Sequence, residues 1–367
     1  MKNTIGQSIT FTLFGESHGE AIGGVLDGLA PGIEVDMDFV KKCLDKRKGI
    51  NELSTPRREE DEVEFLSGVF NGKTTGTPLA FIIRNKDTKS ADYGEMQNVA
   101  RPSHADFTAE MKYMGFQDYR GGGHFSGRLT APIVVAGAII MSALNKKGIE
   151  IGTHIKSLGT VTEKSFNGAN TDEIKSLFEK DFPVLDEDMG HKMQEEILKA
   201  KEDADSIGGV LETMVAGLPA GVGEPWFDSL ESVMSHALFS IPAVKGVEFG
   251  GGFEMCNKRG SEVNDSLRTD GEKVYSETNY SGGINGGISN GMPITVRTAI
   301  KPTPTIFKEQ DTVNAVTGEN TKTEQKGRHD PCIVHRARVV ADSVVALTLC
   351  DMMAIRYGTN WVWNTDA

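Results

Sequence analysis

The feature of this sequence that most restricts its fold is the 16-residue run from Leu129 to Leu144, in which apolar side chains dominate every face of a helix. A helix that is apolar all round must be enclosed on all sides. The run is shorter than the roughly 20 residues that a membrane-spanning helix needs. We therefore expect a central buried helix with Pro132 in its first turn and Gly148 just beyond its end. A second run, from Val339 to Tyr357, predicts another long helix that ends at Gly358.

The rest of the chain shows the patterns of strands and shorter helices around these two runs. Alternating or short apolar segments predict strands at residues 9–13, 63–70, 79–83, 149–155 and 292–300. Asp36 is a predicted helix cap, and the helix after it has an apolar face formed by Phe39, Val40, Cys43 and Leu44. A clearer amphipathic helix is predicted at 229–241.

No Pro- or Ser-rich linker divides the chain, so we predict one domain over residues 1–367. The polar stretch at about 160–206 is predicted to be a peripheral insertion within that domain. The polar, aperiodic stretch at about 308–327 is predicted to be a mobile loop.

Charge and cysteine usage restrict the partners and the compartment. The formal net charge is −13, so the surface as a whole repels nucleic acid and anionic membranes. Four cysteines without any CxxC pair are typical of reduced thiols in a cytosolic protein. The first residues lack a positive segment followed by an apolar core. We expect a cytoplasmic protein that binds neither nucleic acid nor membranes.

Histidines and cations concentrate in the same loops. Five of the eight histidines are predicted to lie in glycine-, proline- or arginine-rich loops: His18, His104, His124, His329 and His335. The cations that flank these loops are Lys46, Arg47, Lys48, Arg57, Arg58, Arg101, Arg120, Arg128, Lys301, Arg328, Arg336 and Arg338. Each one alone is better explained as solvated surface charge. As a set in an acidic protein they indicate a pocket for a multiply charged anion, because arginine matches carboxylate and phosphate geometry.

Other common sites lack their motifs. No GxxxxGK[ST] occurs, no GxGxxG follows a strand, and no histidine pair has the spacing of zinc ligands, so no metal site is predicted. The residues alone predict an enzyme that handles a phosphorylated, carboxylated small molecule.

Six segments, taken in their order along the chain, resemble the signature segments of chorismate synthases. They are Phe14-Gly15-Glu16-Ser17-His18-Gly19, Arg101-Pro102-Ser103-His104-Ala105-Asp106, Asp118-Tyr119-Arg120-Gly121-Gly122-Gly123, the glycine-rich residues 282–291, Lys301-Pro302-Thr303-Pro304-Thr305, and Arg328-His329-Asp330-Pro331-Cys332. The resemblance implies an α/β fold in which long central helices are packed between antiparallel sheets, as a β-α-β sandwich. It also implies a homotetramer.

The resemblance implies a lyase that converts 5-enolpyruvylshikimate 3-phosphate to chorismate in the shikimate pathway to aromatic amino acids. Phosphate leaves C3 and hydrogen leaves C6 in an anti-1,4-elimination without net redox change, yet reduced FMN is required. Two alternatives remain open. One is an FMN-dependent oxidoreductase that acts on a different acid, and the other is a non-catalytic protein that binds FMN or a phosphosugar.

Matching positions imply roles for individual residues. His18 would protonate the departing phosphate, His104 would face the anionic edge of the reduced flavin, and Asp330 would lie near flavin N5 as a proton relay. Ser17 and Ser126 would hydrogen-bond flavin or substrate.

The resemblance also implies the binding residues. The substrate's phosphate and carboxylates would be bound by Arg47, Arg101, Arg128 and Arg336. The flavin would lie against His124, Phe125, Ser126, Ala243, Gly286, Lys301, Pro302, Thr303, Pro304, Thr305 and Arg328. His124 and Phe125 stand where the family commonly has Arg and Ser, which changes two flavin contacts in type. Glu52 stands where many members have Arg, so we expect NADPH to act only indirectly, through a separate reductant of the flavin.

Overall fold

Two five-stranded antiparallel sheets lie on either side of a helical layer in the computed structural model, which describes residues 2–54, 60–86, 99–168, 170–324 and 330–363. The first sheet contains β1 (Thr4–Ile5), β2 (Thr10–Gly15), β3 (Ala21–Asp27), β4 (Val63–Ser67) and β7 (Leu79–Arg84), in the order β1-β2-β3-β7-β4. The second contains β8 (Glu150–Leu158), β9 (Val161–Thr162), β10 (Gly209–Ala216), β11 (Val244–Phe249) and β16 (Ile294–Ile300), in the order β11-β16-β10-β8-β9.

The remaining strands form small hairpins at the edges of these layers. Within the described ranges they are β5 (Val69–Phe70) with β6 (Lys73–Thr74), β12 (Leu267–Thr269) with β13 (Val274–Ser276), β14 (Ile284–Asn285) with β15 (Ile288–Ser289), and β17 (Gln310–Val313) with β18 (Asn320–Thr323). The α-helices are α1 (Met37–Lys46), α2 (Asp106–Tyr113), α3 (Thr130–Lys146), α4 (Thr171–Glu179), α5 (Glu187–Glu202), α6 (Leu230–Leu238), α7 (Gly260–Val263) and α8 (Val334–Tyr357).

Helices α3 and α8 form the centre of the molecule. They pack against each other, α3 also contacts β2 and β3 of the first sheet, and α8 contacts β8 and β10 of the second. Residues Thr130 to Met141 of α3 are all buried. The two helices lie so close that a Cβ on Gly137 would overlap Ser343 Cα and Cβ. The predicted sandwich of long helices between antiparallel sheets is therefore confirmed.

The central helix meets the length and composition criteria of a membrane span but lies inside the protein. The stretch Gly127–Lys146 is long and apolar enough to cross a bilayer, yet 89% of its apolar window is buried. Its apolar surface is covered by the two sheets and by α8, as in a soluble protein.

Most predicted elements are confirmed by the structure. The strand around Phe11 is β2, and the strand at 292–300 is β16, in which buried and half-buried residues alternate. Asp36 caps α1, because its carboxylate accepts a hydrogen bond from Phe39 N at 2.9 Å. The amphipathic helix at 229–241 is α6, capped by Ser229.

The start of α8 was predicted wrongly. The helix begins at Val334, five residues before the predicted Val339. His335, predicted to lie in a loop, is therefore in the first turn of α8, where it is buried and its Nε2 lies 2.9 Å from Ser54 Oγ. Burial, with Arg336 nearby, lowers the pKa of His335 to about 4, so its ring is neutral near pH 7. The apolar pattern misses the first turn of this helix because the turn carries buried polar side chains, whose contacts with distant parts of the chain are invisible in that pattern.

Two polar stretches are more ordered than composition suggests. Part of 308–327, predicted as a mobile loop, pairs as the hairpin β17–β18, and Ala100 N donates to Val313 O at 3.2 Å. Within 160–206, Met193 and Ile197 of α5 are fully buried in the main core. The single-domain assignment remains a prediction.

The contact between α3 and α8 generates a test of the packing. We expect Gly137→Ala to lower the free energy of unfolding by about 1–3 kcal/mol, because the added methyl overlaps Ser343 and forces the helices apart. Gly260→Ala in α7 is the matched control, since a Cβ there meets nothing within 4 Å. Urea denaturation measures both, and equal stability of the two variants would contradict the close packing.

Candidate active site

A turn of three successive glycines organises the predicted site. Gly121, Gly122 and Gly123 have φ values of +58°, +90° and +52°, a region that residues with a Cβ avoid. A Cβ on Gly121 would overlap the imidazole of His18, so the ring lies directly against the turn. Ser17 N donates to Gly123 O at 3.1 Å, which joins the predicted catalytic loop to the turn.

Ser17 orients the ring of His18. The buried Ser17 hydroxyl lies 3.1 Å from His18 Nδ1, and it also lies within 3.3 Å of Arg120 O and 3.4 Å of Gly121 O. A hydroxyl that donates to these carbonyl oxygens accepts from Nδ1–H. This arrangement favours the neutral tautomer that carries its proton on Nδ1.

Arg47 and Arg128 share one buried carboxylate. Arg47 Nη2 donates to Asp61 Oδ2 at 3.0 Å, and Arg128 Nη1 pairs with Asp61 Oδ1. The exposed fractions of the three side chains are 11% for Arg47, 6% for Arg128 and 2% for Asp61. Burial alone would raise the pKa of Asp61, but the two guanidiniums outweigh it and lower the pKa below its usual value.

Arg336 and Asp330 continue this group. Arg336 Nη1 pairs with Asp330, and Arg336 Nε donates to the backbone oxygen of Arg47 at 2.9 Å. Together, Arg47, Arg128, Arg336, Asp61 and Asp330 form what we call the arginine cluster. Burial lowers the pKa of Arg47, and the charges of Arg336 and Arg128 add to this, whereas Asp61 raises it.

Asn85 connects the arginine cluster to the loop of His18. Its Oδ1 accepts from Arg128 Nε at 3.2 Å, while its Nδ2 donates to Glu16 O at 3.0 Å and to Gly19 O at 2.9 Å. A single amide thus holds both ends of the turn that carries His18.

Arg101 reaches the glycine turn from the other side. Its Nε and Nη2 donate to the two oxygens of Asp106 at 2.7 and 2.8 Å, a two-pronged pair that orients the guanidinium. Burial would raise the pKa of Asp106, but the bonds and charge of Arg101 lower it. A Cβ on Gly122 would lie 3.9 Å from both Arg101 Nη2 and Ser126 Cβ, so both side chains lie beside the turn.

His104 and the segment from Lys301 to Thr305 are in contact. His104 Nε2 lies 2.5 Å from the buried Thr305 Oγ1, and Lys301 Nζ donates to Ser103 O at 2.7 Å. Lys301 N donates to Ala243 O at 3.0 Å, which brings Ala243 to the same place. Burial and the nearby Lys245 lower the pKa of Lys301.

The other predicted cofactor residues are spread more widely. His124 Nδ1 lies 2.8 Å from Gly15 O, and Phe125 is 43% exposed with its ring edge-on to Tyr113.

The middle of the segment from Lys301 to Thr305 packs against residues 206–208. Pro302 would lie 2.9 Å from a Cβ on Gly208, and Thr303 O accepts a hydrogen bond from Ser206 Oγ at 2.6 Å. Pro304 is half-buried. Gly286 lies in the turn of hairpin β14–β15, where a Cβ would meet open space. Arg328 and His329 lie outside the described residues, as do Arg57 and Arg58.

The contacts connect the predicted site residues in two groups. One group leads from Asp330 through the arginine cluster and Asn85 to the loop of His18 and the glycine turn. The other joins Arg101, His104 and the segment from Lys301 to Thr305, with Arg101 beside Gly122. Sequence reasoning missed Asp61 and Asn85. Asp61 lies in an acidic run that is typical of solvated surface, and nothing in the sequence indicates that it is buried.

In the part of the chain that the structure describes, no group of three His, Cys, Asp or Glu side chains could hold a metal ion.

Comparison with known proteins identifies the family of this chain. The family model described as chorismate synthase matches residues 9–354. The chain belongs to the chorismate synthase family. Members of the family are lyases of the shikimate pathway, so the prediction that this chain is an enzyme of that class is confirmed. Membership also implies a flavin cofactor and a small-molecule substrate.

Individual chorismate synthases are similar over nearly the whole chain. That of Methanocella arvoryzae is 48% identical, with 96% of this chain and 94% of that protein covered. That of Dehalococcoides mccartyi is 45% identical, with 98% of both covered. A solved structure titled as the crystal structure of chorismate synthase superposes with a TM-score of 0.77 at 28% identity, with 98% of this chain and 96% of that chain covered.

The position of His18 against the glycine turn generates a second prediction. We expect Gly121→Ala to lower turnover at least about tenfold, because the new methyl displaces the imidazole from its place beside Ser17. Gly72→Ala is the control, since Gly72 has φ +73° and open space around it. Both variants should lose a similar stability, about 1–2 kcal/mol for a left-handed alanine. Chorismate formation and urea denaturation measure the two effects, and equal turnover of both variants would contradict the placement of His18.

Proposed function

We propose that this protein removes phosphate from 5-enolpyruvylshikimate 3-phosphate by anti-1,4-elimination, with reduced FMN bound, to give chorismate without net redox change. The observation that supports this most strongly is a group of buried arginines that is linked by hydrogen bonds to the loop of His18, with Arg101 beside the same glycine turn. A substrate with one phosphate and two carboxylates needs several cations within reach of one proton donor.

The arginines suit a multiply anionic ligand. The arginine cluster contains three guanidiniums and two carboxylates, and Arg101 lies on the other side of the glycine turn. The Nε of Arg47 is buried and has no hydrogen-bond partner among the described residues. A buried donor without a partner is costly, and a ligand oxygen would satisfy it. We assign Arg47, Arg101, Arg128 and Arg336 to the phosphate and carboxylates of the substrate.

The residues near Lys301 suit an anionic flavin. Lys301 supplies a cation, and Thr303 Oγ1 is buried without a partner among the described residues. Phe125 offers an exposed aromatic face, and the space at Gly286 is open. We assign His124, Phe125, Ser126, Ala243, Gly286 and residues 301–305 to FMN binding, with Arg328 as a further assigned position. When bound, reduced FMN supplies the electron density that eases the departure of phosphate from a substrate with a poorly acidic C6 hydrogen.

The protein's own groups then move protons and hold charge. The imidazolium form of His18, held by Ser17 at Nδ1, would donate its Nε2 proton to the phosphate oxygen that leaves C3, which returns the ring to the neutral form protonated at Nδ1. His104, held by Thr305, stabilises negative charge on the flavin edge. Asp330, held by Arg336, relays the proton that leaves C6. Ser126 hydrogen-bonds flavin or substrate beside the glycine turn.

Assembly, compartment and reductant belong to the same proposal. We propose a cytoplasmic homotetramer that receives its reduced FMN from a separate reductant, so that NADPH takes part only indirectly. Glu52, where many relatives of this type have Arg, supports this assignment because a carboxylate repels the phosphates of NADPH.

The decisive experiment is an anaerobic assay with dithionite-reduced FMN and 5-enolpyruvylshikimate 3-phosphate. We expect inorganic phosphate and chorismate to form in equal amounts, with no net consumption of reduced flavin. Stoichiometric loss of reduced flavin without phosphate release would indicate an oxidoreductase. Ligand binding without turnover would indicate a protein that has kept the site but not the activity.

A variant of His104 tests its assigned role in the same assay. We expect His104→Ala to lower kcat at least about tenfold, the size of effect that follows loss of one positioned proton donor. His191→Ala is the control, because His191 is exposed on α5. Unchanged kcat in a folded His104→Ala protein that still binds FMN would rule out the role.

A further inference from the structure

We propose that Asp61 is a positioning residue of the substrate site, which holds Arg47 and Arg128 in the arrangement that receives one anionic group of the substrate. The inference rests on the proposed function, since it takes these two arginines to bind 5-enolpyruvylshikimate 3-phosphate. It adds a residue that touches neither substrate nor cofactor.

Asp61 joins parts of the chain that are distant in sequence. Arg47 follows the last turn of α1, Arg128 precedes α3, and Asp61 precedes the edge strand β4. Each oxygen of the Asp61 carboxylate pairs with a different arginine: Oδ2 pairs with Arg47, and Oδ1 pairs with Arg128. The carboxylate of Asp61 therefore sets the distance and angle between the two guanidiniums. Within the described ranges, no other residue forms an ion pair with both arginines.

The register of the first sheet places Asp61 beside Asn85. Val63 of β4 pairs with Ile83 of β7, and the same antiparallel register continued outwards puts Asp61 opposite Asn85. Both side chains contact Arg128, the carboxylate at Nη1 and the amide at Nε. Because Asn85 also holds the loop of His18, the edge of the sheet fixes the arginine pair and the proton donor relative to each other.

The charges explain why a carboxylate is needed at this place. Arg47 and Arg128 are almost fully buried, and the charges of Arg128 and Arg336 both lower the pKa of Arg47. Without Asp61 the two guanidiniums would repel each other in a medium that screens charge poorly. They would turn apart towards solvent, and the site would lose its geometry before a ligand arrived.

Asp61 leaves donors available for a ligand. It uses one terminal nitrogen of each guanidinium. Among the described residues, Arg47 Nη1 makes only long bonds of 3.4 Å, to Gly127 O and Thr130 Oγ1. Arg47 Nε has no partner among the described residues. An arginine whose guanidinium is held by an ion pair on one side, and has N–H groups without strong partners on another, is oriented to bind a phosphate or carboxylate oxygen.

The test compares Asp61→Asn with wild type and with Glu64→Gln. Glu64 is on β4, the strand that follows Asp61, and also pairs with an arginine, Arg84, but both side chains are about half exposed, at 47% and 48%. We expect Asp61→Asn to raise the KM for 5-enolpyruvylshikimate 3-phosphate at least about tenfold, as loss of a buried charge partner does, with kcat changed by less than about threefold. Glu64→Gln should match wild type within about twofold, because exposed ion pairs contribute little.

The Asp61→Glu variant distinguishes the effect of the carboxylate's position from the effect of its charge. It also replaces Asp61→Asn in the test if that variant folds poorly. It keeps the charge but moves the carboxylate by one methylene, so we expect a KM between those of wild type and Asp61→Asn, with a Tm near wild type. Calorimetric titration of each variant with the substrate, in the presence of oxidised FMN, should show the same ranking in Kd.

The outcomes separate this inference from the function on which it rests. Absence of turnover and of substrate binding in wild type and Glu64→Gln would overturn the proposed function, and this inference with it. Turnover in those two proteins, together with a KM within twofold of wild type for Asp61→Asn or Asp61→Glu, would overturn the role of Asp61 alone. A kcat that falls only in proportion to the folded fraction, at unchanged KM, would make Asp61 a merely structural residue and would also overturn it.

Discussion

The close approach of α3 and α8 is the constraint on which the rest of the molecule depends. Each helix is buried almost throughout, and they meet where Gly137 leaves room for Ser343. Arg128 lies just before α3, and Arg336 lies in the first turn of α8. Arg128 contacts Asp61, the carboxylate partner of Arg47, and Arg336 contacts the backbone of Arg47, so both helices begin at the same end of the molecule. Packing of the core thus decides where the arginines of the site can lie, and the positive ends of two helix dipoles point to the same region.

Around this core, local backbone geometry and buried charge work together. The three glycines of the turn adopt left-handed φ values that other residues avoid. Because Gly121 has no Cβ, the ring of His18 can lie directly against the main chain. Asp61 and Asn85, at the end of the first sheet, hold the arginines and the histidine loop by ion pair and amide bonds. An acidic protein can therefore keep several guanidiniums together, because each is paired before any ligand arrives. Preformed donors bind an anion without the energetic cost of reorganising the site.

The most apolar parts of the fold could be predicted from the sequence, and so could many residues of the candidate site. The runs that became α3 and α8 and the alternation in β16 are local signals, and helix or strand period reveals them directly. The early start of α8 could not be predicted, because His335 is a polar residue whose partner, Ser54, comes from a distant part of the chain. The hairpin β17–β18 was missed for a similar reason, since its polar strands carry no apolar period.

The sequence by itself determined the central helices, the glycine-rich turns and the motifs that place this chain among the chorismate synthases. These depend on neighbouring residues or on short segments whose order is visible in one dimension. Only the tertiary structure decided that Asp61 is buried between two arginines and that Asn85 holds the loop of His18. The physical reason is that a side chain's charge environment is set by groups far away in sequence. An aspartate in an acidic run looks like surface until the fold brings two guanidiniums to it.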